Sequence, residues 1–106
     1  MAGQLRILSV VGYNGCGYFD RAAAAAKALE KSRPAEWKAS VTGYSRSDYL
    51  EWLKPINVRH GIRHTSSPIV FIGTPEDGKF VGGCDATIAW LAAEYPDVKV
   101  GGGSWF

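Results

Sequence analysis

Two short runs in this chain of 106 residues are strongly apolar and are closed off by turn-forming residues, and they limit the fold more than anything else in it. The first, Leu5-Arg-Ile-Leu-Ser-Val-Val11, is aliphatic and β-branched and breaks at Gly12-Tyr13-Asn14-Gly15. Such a run followed by such a breaker reads as a buried central strand leading into a turn. The second, Pro68-Ile-Val-Phe-Ile72, lies between polar Thr65-Ser66-Ser67 and Gly73-Thr-Pro-Glu-Asp-Gly78, with Lys79-Phe-Val81 at hairpin distance. Those two segments are expected to pair antiparallel. Neither run is long enough to cross a bilayer, and the N-terminal one lacks the small-residue cleavage pattern of a secretory leader.

Helical patterns separate the strands. After Cys16, the stretch FDRAAAAAKALEK from Phe19 to Lys31 has maximal helix propensity, with Asp20 suited to the positive end of the dipole and Lys31 to the negative end. Trp37 to Tyr44 alternates apolar and polar residues and reads as a strand. Ser45 or Ser47 is a candidate cap for a helix carrying Tyr49, Leu50, Trp52 and Leu53, which Pro55 is expected to bend or end. Asp85 or Thr87 opens a last amphipathic helix with Ile88, Leu91, Ala92 and Tyr95, closed by Pro96. The order βαβα-ββα predicts an α/β fold: a small mixed four-stranded sheet with helices on both faces. The length fits one domain over residues 1–106, with Gly101-Gly-Gly-Ser-Trp-Phe106 as a flexible tail from about residue 100. Trp37, Trp52 and Trp90 are expected in the core.

Charge announces no partner. Twelve basic and ten acidic side chains give a net charge of +2, too mild for a nucleic-acid or membrane surface. Two cysteines, Cys16 and Cys84, are too few for a disulfide framework, so a reducing compartment, the cytoplasm, is the default.

Cys16 is the residue that carries chemistry. It follows a strand and a Gly-rich turn at the first turn of a helix, where unpaired N–H groups and the helix dipole favour negative charge. Thiols so placed have pKa values lowered from about 8.5 to between roughly 3.5 and 7.5. Arg21 would assist a thiolate and Asp20 would oppose it. Local context alone leaves two readings open, a reactive thiol or an ordinary part-buried cysteine.

Three motifs in order bring the rest of the chain to bear. Cys16-Gly-Tyr-Phe19, Ser66-Ser-Pro-Ile-Val-Phe71 and Gly82-Gly-Cys-Asp85 resemble the active-site, Thr-Val-Pro and Gly-Gly-x-Asp motifs of glutaredoxins, over nearly the whole stretch from Leu5 to Tyr95. The resemblance implies the thioredoxin fold and a glutathione-dependent oxidoreductase. Pro68 matches the family's cis-proline, and Ser67 would pair its backbone with the cysteinyl part of glutathione. Gly83, the N–H of Cys84 and Asp85 would hold the γ-glutamyl end, and Tyr18 would wall the groove. Taken singly, the glycine pair is also compatible with a hairpin exit and Pro68 with a strand edge.

Phe19 stands where dithiol members have a second cysteine, so the resemblance implies monothiol deglutathionylation through Cys16. Glutathione is then a co-substrate, and glutathionylated proteins are the partners of a monomer. Tyr13 stands where the family usually has a basic residue facing the glycyl carboxylate. Arg59, Arg63 or His64 would supply that charge, or they form a solvated basic loop. A second reading is a [2Fe–2S] carrier: a homodimer with Cys16 of each chain and two glutathione thiols as ligands. A third is a glutathione-groove binding protein with little turnover. A zinc site built from Cys16, Cys84, His60 and His64 lacks paired-ligand spacing.

Overall fold

The computed structural model describes residues 4–99; the expected tail at 100–106 lies outside the described residues. The first apolar run forms β1 (Arg6–Tyr13), which continues through Gly12 to Tyr13. It pairs parallel with β2 (Trp37–Tyr44), in register from Arg6 against Trp37 to Tyr13 against Tyr44. The parallel pairing needs a long crossover, which α1 (Gly17–Ser32) supplies. On its other side β1 pairs antiparallel with β3 (Ile69–Ile72), and β3 pairs antiparallel with β4 (Lys79–Gly82). The strand order is β2-β1-β3-β4, the expected mixed four-stranded sheet.

Alternation along β1 and β3 sorts the core into two layers. Leu8, Val10 and Val70 face Ala22, Ala25, Ala26 and Leu29 of α1, together with Leu91 of α3 (Cys84–Glu94). The buried alanines let α1 lie close to the sheet. Val11, Ile69 and Phe71 face Tyr49, Leu53 and Ile56 of α2 (Arg46–His60) on the opposite side. Helices therefore cover both faces.

Two helix boundaries differ from expectation. Ser45 caps α2 as predicted, its Oγ accepting from the Asp48 N–H at 3.2 Å, but the helix runs through Pro55 to His60 and ends at left-handed Gly61. Proline removes the bond to the Glu51 carbonyl; both residues are exposed, so the freed carbonyl is open to solvent while Leu53 and Ile56 keep the helix docked. The last helix begins at Cys84, ahead of Asp85 and Thr87, with Gly83 as its cap residue. Thr87 is fully buried, and its hydroxyl turns back to donate to the Gly83 carbonyl at 2.8 Å.

Of the three tryptophans expected in the core, Trp37 is buried at 1% exposure, whereas Trp52 and Trp90 are half-buried. The Trp37 indole N–H donates to the Tyr95 hydroxyl at 2.8 Å, and the Arg6 guanidinium lies 4.2 Å from the indole centroid.

Candidate active site

The turn that ends β1 aims Cys16 at the opening strand of the second half. Gly15, at φ +90°, takes the chain through a conformation that suits glycine, and Cys16 becomes the cap residue of α1. Its carbonyl accepts the Asp20 N–H at 3.1 Å, and no side chain hydrogen-bonds to the N–H groups of the first turn. Those donors and the positive end of the helix dipole are left for a ligand or for the sulfur itself. The Cys16 Sγ lies 3.6 Å from the Ser67 carbonyl, to which its S–H donates.

Ser67 belongs to the segment leading into β3, and the Ser67–Pro68 peptide is cis. This segment is tied down on both sides. Ser67 Oγ accepts the Tyr13 N–H at 3.1 Å, and the Tyr49 hydroxyl donates to the Ser66 carbonyl at 2.6 Å. Burial first, then the nearby Cys16 and Tyr13, push the Tyr49 phenol well above its usual range, so it stays a neutral donor. Tyr49→Phe is expected to lower unfolding free energy by about 1 kcal/mol, because the Ser66 carbonyl loses its donor; urea unfolding measures it. The Ser67 N–H meets no acceptor among the described residues, although Ser67 is only 8% exposed.

Phe19, three residues after Cys16, turns inward. Its ring is 5% exposed and lies over Gly12 and Gly43, which are register partners across β1 and β2. A Cβ at Gly12 would stand 2.5 Å from Phe19 Cδ1 and 2.6 Å from Ser67 Oγ; one at Gly43 would stand 3.3 Å from Phe19 Cε2. The glycine pair is a slot for the ring.

The opposite wall is the turn into α3. Gly82 adopts φ +136°, and a Cβ on Gly83 would come 3.5 Å from the Pro68 carbonyl. No side chain caps α3 either. Burial pushes the Cys84 thiol up, with the Asp85 charge adding to the effect and Arg21 opposing it.

No family model matches the sequence, and no curated protein matches it. Among solved structures, reduced glutaredoxin from Escherichia coli matches with a TM-score of 0.67, covering 85% of this chain and 98% of that one at 19% identity. The fold is that of a glutaredoxin.

Within the glutaredoxin fold, hydrogen bonds join Cys16, Tyr13 and Ser67; Pro68 follows in sequence, and Gly83 lies where a Cβ would stand 3.5 Å from the Pro68 carbonyl oxygen. Tyr18 is 59% exposed on the first turn of α1, and the Arg21 guanidinium lies 5.7 Å from its ring centroid. Asp85 is exposed on the first turn of α3, and Arg63 is exposed on the connection between α2 and β3. Arg59 is turned away: its guanidinium pairs with Asp77 at 3.0 Å in the β3–β4 turn. The two histidines of the zinc reading are each engaged by a carbonyl, His60 at Pro75 and His64 at Pro68, and no three metal-ligating side chains gather among the described residues.

Sequence reasoning missed Arg46. Its guanidinium lies 5.7 Å from the Tyr13 ring centroid, which places a cation over the very position that lacks one in the sequence. Its place on the first turn of α2 after the Ser45 cap was legible; its approach to Tyr13 was not, because that needs the β1–β2 register.

Proposed function

We propose that this chain is a glutathione-dependent thiol–disulfide oxidoreductase that works through the single thiol of Cys16. The observation that carries the reading is the pairing of Cys16 Sγ with the Ser67 carbonyl, on a residue whose N–H has no hydrogen-bond partner among the described residues. A donor and an acceptor on one residue, facing a nucleophile, form the complement of an extended cysteinyl backbone.

The reaction then runs as two exchanges. The Cys16 thiolate attacks the glutathione sulfur of a protein–glutathione mixed disulfide; the protein leaves as a thiolate and takes a proton from solvent, and Cys16 is glutathionylated. A second glutathione thiolate attacks the glutathione sulfur on Cys16, releasing oxidised glutathione and regenerating the Cys16 thiolate. Ser67 and Pro68 hold the cysteinyl backbone, and Tyr18 walls the groove. The N–H groups of Gly83 and Cys84 with Asp85 hold the γ-glutamyl end at the uncapped start of α3. Tyr13 offers a hydrogen bond to the glycyl carboxylate, with its charge supplied by Arg63 or by Arg46 above the Tyr13 ring. Phe19, buried in its slot, leaves no second thiol at that position, so the substrate is a mixed disulfide with glutathione.

A [2Fe–2S] cluster fits this chain only in part. Cys16 is the one thiolate the arrangement offers, so a second chain and two glutathione thiols would complete the ligand set.

Among the described residues no helix is long and apolar enough to cross a membrane. The chain is placed as a monomer in a reducing compartment, the cytoplasm, the default for so few cysteines.

The test is glutathione-dependent reduction of the mixed disulfide between glutathione and 2-mercaptoethanol. Turnover well above the uncatalysed rate supports the reading. A background rate with retained glutathione binding would leave a binding protein in place of an enzyme.

A further inference from the structure

Toward β4, the pairing of β3 stops short of the cis-proline. The last β3–β4 partners are Val70 and Gly82, so the Pro68 carbonyl has no strand to bond. His64 fills that gap. Its Nε2 lies 2.8 Å from the Pro68 carbonyl oxygen. A carbonyl only accepts, so this nitrogen carries the proton and donates.

The imidazole is held from several directions. Asn57 of α2 clamps the His64 backbone: its Nδ2 donates to the His64 carbonyl at 2.8 Å, and its Oδ1 accepts the His64 N–H at 2.9 Å. Phe80 of β4 meets the ring edge-on, with centroids 5.6 Å apart. A Cβ on Gly83 would lie 3.6 Å from His64 Cε1. One side chain thus touches the cis-proline segment and β4, and lies beside the turn into α3.

We infer that His64 is a positioning residue for the thiol site: by holding the Pro68 carbonyl it fixes Ser67, so that the Ser67 N–H and carbonyl meet a thiol partner together. The inference rests on the glutathione reading above. Pro68 is almost fully buried, and its carbonyl, once stripped of the imidazole, must find another donor or remain unsatisfied. The Gly83 turn lies nearby, since a Cβ built on Gly83 would stand 3.5 Å from that carbonyl oxygen. Closing it onto Pro68 would narrow the groove. The imidazole is a spacer as well as a donor.

The experiment compares wild type, His64→Ala, His64→Gln and Asn57→Ala in the mixed-disulfide assay, with urea midpoints measured alongside. Glutamine keeps an N–H donor of similar reach. For His64→Ala, KM for the mixed disulfide is expected to rise about tenfold with kcat changed less than about twofold, the size of one lost hydrogen bond. His64→Gln is expected to stay within about threefold of wild type, and Asn57→Ala to raise KM in the same direction by a smaller factor. A purely structural role would lower kcat through the folded fraction and leave KM alone. Unchanged KM in His64→Ala, or equal KM in the Ala and Gln variants, overturns the role of His64. A wild type without turnover overturns the glutathione reading and this inference with it, whereas an active wild type with an unresponsive KM overturns only this one.

Discussion

Cys16→Ser is expected to reduce glutathione-dependent turnover to the uncatalysed rate while leaving the folded state intact. The two effects separate for a physical reason. A serine hydroxyl at neutral pH is far too weakly acidic to supply an anion, and among the described residues no side chain hydrogen-bonds to the Cys16 sulfur as a general base would. The same hydroxyl can still donate to the Ser67 carbonyl that now faces Sγ at 3.6 Å. It is also a better helix cap than a thiol, able to accept from the uncapped first turn of α1, so unfolding free energy should hold or rise by up to about 1 kcal/mol. Cys84 is not expected to take over, because burial together with the Asp85 charge pushes its thiol up, away from the thiolate. Assay and urea unfolding on the same preparation give both numbers. Turnover close to wild type would move the chemistry away from Cys16.

Gly12→Ala is expected to cost about 3 kcal/mol, at the upper end of what overpacking a close-packed interior does. The added Cβ would sit 2.5 and 2.7 Å from two atoms of the Phe19 ring and 2.6 Å from Ser67 Oγ. None of these has room to yield. The ring is 5% exposed in its slot, and Ser67 Oγ is held by the Tyr13 N–H. The damage should reach activity as well, since moving Ser67 displaces the carbonyl that faces Cys16. Gly43→Ala is the control. There the new Cβ strikes the Asn14 carboxamide, the far end of an exposed side chain that can swing away, and the expected cost is below about 1 kcal/mol. Combining Gly12→Ala with Phe19→Leu should recover part of the loss, because the two sites share one space and their effects are not additive. Equal urea midpoints for Gly12→Ala and wild type would refute the slot.

Much of this architecture can be read along the chain. The strand over Trp37–Tyr44, the Ser45 cap and the antiparallel pairing of the second apolar run with Lys79–Val81 all follow from patterns within a few residues of each other. The cysteine at the strand-to-helix junction is local in the same sense. Of the two outcomes expected at Pro55, the helix does not end there, because burial of Leu53 and Ile56 on the far face holds it and local propensity carries no record of that packing. Thr87 misled as a cap because the glycine turn from β4 delivers the chain to a helix already begun at Cys84.

What the sequence alone determined was the order of elements, and with it the placing of a thiol where a helix begins. The tertiary structure decided how that thiol is furnished. Gly12 and Gly43 face each other only because β1 and β2 run parallel in one register, and Phe19 has a slot only because they do. Ser67, 51 residues beyond Cys16, meets its sulfur because β3 inserts beside β1. Arg46 reaches Tyr13, and Asn57 holds His64, across joints that no period in the sequence encodes. Periodicity and propensity belong to neighbours along the chain, whereas a site is made of neighbours in space, and register is the quantity that converts one into the other.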